Sequence, residues 1–211
     1  MNKFVKMYIN KCFEQNFISY PKDELQNVNQ AYSEIESTLV KDIKQKYKEF
    51  HFNETKNIFD LMVVDMSIEA IMLYRISRNL LLKKSNNTIL PFLHSLMRIR
   101  TSMELYYSSE IGEGFVVRHG LASVIGPNHV IGKRFTIFQK VTLGQSIFQN
   151  KKNKDRMIIG NNVTFSAGVT VIGNIKIGNN IIVGENSIVK NNLESNYIYI
   201  GSPAMKIGKF R

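Results

Sequence analysis

Between residues 111 and 189 large apolar side chains recur in steps of six: Ile111, Val117, Phe135, Val141, Ile147, Ile159, Phe165, Val171, Ile177, Val183 and Val189. A helix repeats every 3.6 residues and a strand every 2, so a step of six fits neither. It marks a solenoid in which each hexapeptide supplies one short strand and one turn, with the large residue facing a narrow core. Glycine often follows the apolar residue, as at Gly112, Gly160, Gly178 and Gly184. Asn161, Asn162, Asn179 and Asn180 suit the corners, where a positive φ costs asparagine little. Ser123 and His129 take the inward slots in the first part and weaken the pattern there, while the phase is kept across residues 147–158. The spacing predicts a parallel β-helix and leaves its handedness open.

The chain has 211 residues, 44% of them hydrophobic, enough for one large domain or two small ones. Its one cysteine, Cys12, reads as a half-buried helical thiol. It permits no internal disulfide and no cysteine-based zinc site, so a reducing, cytoplasmic setting and no metal are expected. The first residues lack the apolar run of a signal peptide. The most apolar stretch, residues 58–82, is broken by Asp65, Glu69, Arg75 and Arg78, which argues against a membrane span. Net charge is +11, and residues 111–211 hold 13 basic against 4 acidic residues. That half of the chain either is simply solvated or attracts an anionic ligand; a nucleic-acid partner is not expected.

Residues 1–103 read as a helical domain and residues 104–211 as the solenoid domain, an α+β chain. Apolar residues at helical spacing predict helices over residues 1–16, 28–52 and 58–84, and a last one opened by Pro91 and running to about 103. This bundle is expected to cap the first coil and to support subunit association. Residues 148–157 break the spacing and should loop out of the solenoid, carrying Lys151, Lys152, Lys154 and Arg156. Residues 197–200 alternate as a final strand. Of the four histidines, His51, His94 and His129 read as structural. His119 follows Val117-Arg118 in an early turn beside Gly120, where it can project outward and take a proton near neutral pH.

Several runs together resemble the serine acetyltransferase family of hexapeptide-repeat acyltransferases. They are Ile111-Gly112-Glu113-Gly114, Arg118-His119-Gly120, Val141-Thr142-Leu143-Gly144, Ser166-Ala167-Gly168, Ile172-Gly173-Asn174-Ile175 and Gly201-Ser202-Pro203-Ala204. The resemblance spans residues 58–211, with Tyr74-Arg75 similar to the helix that precedes the family's repeats. It implies a left-handed coil, acetyl-CoA as co-substrate, and active sites between the subunits of a homotrimer or a multiple of trimers. It gives His119 the role of general base and Glu104, fifteen residues earlier, that of the carboxylate orienting it. Gly144 takes the place of the oxyanion donor. Ala167 and Gly168 fall where the pantetheine arm lies, and Lys206 and Lys209 are candidates for the CoA phosphates.

Three departures set the expected acceptor. Arg118 stands where the family has an aspartate for the substrate ammonium, Met157 where it has a loop histidine, and residues 52–54 lack its Asp-Pro. A guanidinium in place of a carboxylate should repel serine. The expected function is therefore O-acetylation of a sugar hydroxyl in an anionic capsular or surface polysaccharide, the sugar-modifying branch of the family. In that reading Arg118, Arg156, Lys151, Lys152 and Lys154 hold the polymer. The alternative is serine O-acetylation for cysteine biosynthesis, and a third reading is an inactive scaffold.

Overall fold

The computed structural model describes residues 7–8, 10–12, 22–48, 58–84, 89–145 and 156–210. Among the described residues, the helices α1 (Lys22–Lys46), α2 (Ile58–Val64), α3 (Met66–Leu82) and α4 (Ile89–Thr101) precede a run of short strands. In α1 the buried residues Val28, Ala31, Ile35, Leu39 and Ile43 follow helical spacing and form one stripe. The single helix expected over 58–84 is two. Asp65 has an extended backbone and its carboxylate accepts the Ser67 N–H at 3.1 Å, so it ends α2 and caps α3. Pro91 sits in the first turn of α4, where its missing N–H costs nothing. No described helix is long and apolar enough to cross a membrane.

The strands are β1 (Glu104–Leu105), β2 (Glu110–Ile111), β3 (Val116–Val117), β4 (Val124–Ile125), β5 (Val130–Ile131), β6 (Thr136–Ile137) and β7 (Thr142–Gly144). They continue as β8 (Ile158–Ile159), β9 (Val163–Phe165), β10 (Thr170–Ile172), β11 (Lys176–Ile177), β12 (Ile181–Val183), β13 (Ile188–Val189), β14 (Tyr197–Ile200) and β15 (Met205–Lys209). From β1 to β13 every third strand stacks on the same face. The three faces of the prism are β1-β4-β7-β10-β13, β2-β5-β8-β11 and β3-β6-β9-β12-β14-β15. All pairs are parallel except β14 with β15. The coil is the left-handed β-helix that the resemblance implies. The antiparallel hairpin of β15 was not expected from the sequence; it covers the edge of β14 that would otherwise stand bare.

The six-residue phase is not continuous. Glu104 pairs with Val124, twenty residues on, whereas Val124 pairs with Thr142, eighteen on. The two extra residues lie in the corner after β3, which is the corner of His119. Downstream the strand residues facing the core are Ile125, Ile131, Ile137 and Leu143, paired with Leu105, Ile111, Val117 and Ile125. Ser123, His129, Phe135 and Val141, read as the strand's inward slots, are buried two positions earlier, at the turn into each strand. The second offset falls between Thr142 and its partner Thr170, twenty-eight residues on, and restores the phase from Ile159. Ile147 lies outside the described residues.

Corners are held by side-chain ladders. Asn162 and Asn180 have φ of 57° and 54° as expected, and the Asn162 amide donates to Asn180 Oδ1 at 3.0 Å. Asn161 and Asn179 do something else: Asn179 Oδ1 accepts the Asn161 N–H at 2.7 Å, and Asn161 Oδ1 accepts the Lys133 N–H at 2.7 Å. These bonds satisfy N–H groups that a corner takes out of the strand ladder.

Candidate functional site

His119 lies in the corner of residues 118–123, between β3 and β4. Its φ is 63°, its side chain is exposed, and its carbonyl accepts the Leu121 N–H at 2.7 Å. Its ring lies 6.3 Å from that of Phe138. Gly120, with φ of 60°, lets the chain turn beside it: a Cβ there would collide with Met103 and would meet Val117 Cγ1 at 2.8 Å. The two inserted residues thus lift this corner off the regular coil and turn the imidazole outward.

The same edge of the prism carries the other backbone positions named above. Lys140 donates from its N–H to the Leu121 carbonyl at 2.9 Å, Gly168 to Gln139 at 3.0 Å, and Asn186 to Ala167 at 2.8 Å. The corners of His119, Gln139, Ala167-Gly168 and Asn186 therefore stack in one column. Gly168 has φ of 73° and no room for a Cβ against the Asn186 side chain. Gly144 ends β7 on the adjoining face, two strands along from Glu104 on β1. A Cβ on Gly144 would approach Ile172 Cδ1 to 2.9 Å.

Glu104 is placed differently from the expected dyad. Its Oε1 lies 3.3 Å from His94 Nε2, its Oε2 lies 3.7 Å from Arg98 Nε, and among the described residues it makes no hydrogen bond to His119. His94 and Arg98 are four apart on α4 and so share a face, a spacing readable in the sequence. His94 is buried against Tyr106, with ring centroids 4.6 Å apart. A cavity of about 200 Å³ opens between α4 and the His119 corner, lined by Arg98, Ser102, Glu104, Ala122 and Ser123.

Arg118 is half-buried, and its N–H donates to the Ile137 carbonyl at 2.8 Å. Lys206 is bonded to Glu194 at 2.7 Å and stands 3.7 Å over the Tyr197 ring; the bond to Glu194 raises its pKa. Lys209 is exposed on β15. Arg156 is exposed and lines a second cavity, of about 220 Å³, with Arg78, Glu110 and His129. Lys151, Lys152 and Lys154 lie outside the described residues. Met157 is no loop residue: it is fully buried in the solenoid core, and its N–H donates to His129 Nδ1 at 3.3 Å.

No model of a known protein family matches the chain. A serine acetyltransferase of Helicobacter pylori is 32% identical over 156 residues, covering 74% of this chain and 90% of its own length. The crystal structure of the Neisseria gonorrhoeae serine acetyltransferase superposes with a TM-score of 0.78 at 24% identity, over 89% of this chain and 71% of that one. The same enzyme in complex with serine gives a TM-score of 0.75 at 26% identity, over 87% of this chain and 74% of that one.

These relatives overturn the polysaccharide acceptor expected from the sequence. One of its supports also fails physically. Residue 157 is a core position, so its being methionine reports packing and not acceptor chemistry. Of the basic residues behind the charge, Lys133 and Lys206 hold acid partners in their own chain, Glu113 at 3.0 Å and Glu194 at 2.7 Å, which the net charge already counts. Nothing in the structure explains the third support, Arg118 beside His119. The chain belongs to the serine acetyltransferase family.

Proposed function

We propose that the chain transfers the acetyl group of acetyl-CoA to the hydroxyl of serine. The observation that carries this is the exposed His119 on a lifted corner, in one column with Ala167 and Gly168 and beside the face that holds Glu104 and Gly144. His119 takes the proton of the serine hydroxyl as the oxygen attacks the thioester carbonyl. The C–O bond forms, the tetrahedral oxyanion collapses, the C–S bond breaks, and the imidazolium returns the proton to the departing thiolate. Glu104, held by His94 and Arg98, supplies a negative charge near the corner to offset the imidazolium. Backbone at Gly144 faces the developing oxyanion. The corner column receives the pantetheine arm, because Ala167 and Gly168 present little bulk. Lys209 and Lys206 at the far end are cations for the CoA phosphates, Lys206 only by leaving Glu194.

The working unit in this reading is a homotrimer or a multiple of trimers. Ile158, Ile172 and Ile200 project from three different faces at 43%, 42% and 38% exposure, apolar surface that association would cover. Sedimentation velocity tests it: a stable, active monomer at micromolar concentration is incompatible with the proposal.

The deciding experiment follows free thiol released from acetyl-CoA, with O-acetylserine identified by mass. Turnover with serine and none with acidic oligosaccharides is expected. No turnover with serine rejects the proposal.

A further inference from the structure

The register of the face that holds β3, β6, β9 and β12 carries on past the strands. Val117, Ile137, Phe165 and Val183 are cross-strand partners. The residues that follow them, Arg118, Phe138, Ser166 and Gly184, therefore stack one per coil at the edge that bears His119. Phe138 is the one large apolar side chain of this stack, and the two positions beyond it are small. It is half-buried, and its ring centroid lies 6.3 Å from that of His119 with the planes tilted by 46°. Its backbone is held independently of the ring: the N–H donates to the Phe165 carbonyl at 3.1 Å, and the carbonyl accepts the Ser123 hydroxyl at 2.9 Å. The Gln139 carbonyl next to it accepts the Gly168 N–H, so the coil of Phe138 separates the Ala167-Gly168 corner from that of His119.

We infer that the Phe138 ring forms the floor of the acyl site and limits the donor to short acyl chains, so that acetyl-CoA is used and longer acyl-CoA esters are turned away. The inference rests on the acetyl-CoA donor of the reading above and not on its acceptor. An arm that runs over Ala167 and Gly168 toward His119 crosses the level of Phe138 just before the thioester. With the thioester carbonyl at the imidazole, the acetyl methyl lies against the ring, and further methylenes overfill the space. One coil on, Ser166 leaves room for the arm, so the bulk stands only where the acyl group ends.

The test compares Phe138→Ala and Phe138→Leu with the unaltered protein on acetyl-CoA and butyryl-CoA. Calorimetric titration gives the affinity for each without an acceptor, and thiol release with serine gives kcat/KM. The unaltered protein should favour acetyl-CoA in both. A single methylene in a shaped apolar pocket is worth about tenfold or more in discrimination. Phe138→Ala should therefore raise the butyryl-to-acetyl ratio at least about tenfold, and Phe138→Leu by less. Phe138→Leu keeps apolar bulk and carries the comparison should the smaller variant lose its fold. If the ratio is the same in all three proteins, or if the unaltered protein takes butyryl-CoA as readily as acetyl-CoA, the inference is wrong, whatever the outcome with serine. If the calorimetric ratio shifts as expected but no protein acetylates serine, the inference holds and the serine reading falls.

Discussion

Arg75 of α3 and Asp42 of α1 form a buried two-pronged ion pair that also grips the first coil of the solenoid. Arg75 Nε and Nη2 lie 3.0 and 3.2 Å from the two Asp42 oxygens. The guanidinium further donates to the Ile111 carbonyl and, at 2.7 Å, to that of Gly112, while Asp42 Oδ1 accepts the Phe115 N–H at 2.8 Å. Next to it Tyr74 donates to the Ser109 carbonyl at 2.8 Å and accepts the Ile111 N–H at 3.0 Å, and burial pushes its phenol up to about 12. The helices are thus bonded to the coil that bears His119, not merely packed on it.

Removing one member of this pair strands the other. Arg75→Ala should cost about 3–5 kcal/mol, since an unpaired buried charge keeps its desolvation penalty. The double substitution Asp42→Leu, Arg75→Met should recover part of that loss. Urea unfolding of the three variants measures it; an Arg75→Ala midpoint equal to that of the unaltered protein would show that the pair carries no stability.

Replacing His119 tests the general base. His119→Asn tolerates the left-handed backbone, so the corner should keep its shape. The variant should lose about 10²–10⁴-fold in kcat, the usual contribution of a positioned base. Because the side chain is exposed, its melting temperature should match that of the unaltered protein. Activity within a few-fold of normal in the thiol-release assay would remove His119 from the mechanism.

The solenoid was legible because its repeat is local: each apolar residue reports one strand, and a run of them outweighs a few misfits. What stayed hidden depended on spatial neighbours. Ser123 and His129 looked like weak inward residues because a two-residue insertion at the His119 corner is invisible to a fixed step of six. The split at Asp65 is a capping event, and an aspartate inside an apolar run reads equally well as a solvated face. Glu104's partners come from α4, and no hexapeptide rule connects that helix to the coil. One support of the expected acceptor, Met157, reads as loop chemistry in the sequence, whereas its position is core packing.

Gly168 should not tolerate a side chain. Its φ of 73° and the Asn186 side chain against the site of a Cβ both oppose alanine. Gly168→Ala should cost about 1–3 kcal/mol from backbone strain. Under the proposed function it should also raise KM for acetyl-CoA more than KM for serine, because this corner lines the path of the pantetheine arm. Full stability by urea titration would contradict the strain argument. An unchanged KM for acetyl-CoA would move the arm to another edge.

His129 should make the fold sensitive to mild acid. Burial holds its imidazole below the ordinary value of 6.5, against a smaller opposing pull from the Leu143 carbonyl. The unfolded chain therefore takes up this proton first. Above about 6.5 neither state is protonated there and the contribution to stability is complete; as pH falls below it the unfolded state binds more protons and stability declines. Arg78, Glu110 and Arg156 line the cavity next to it, so charge is already present on its outer side. His129→Asn retains an acceptor for the Met157 N–H but cannot titrate. Between pH 7 and 5.5 the urea midpoint of the unaltered protein should fall more steeply than that of His129→Asn. Groups that titrate in both proteins cancel in this comparison. Parallel pH profiles would mean that some other group governs the acid response.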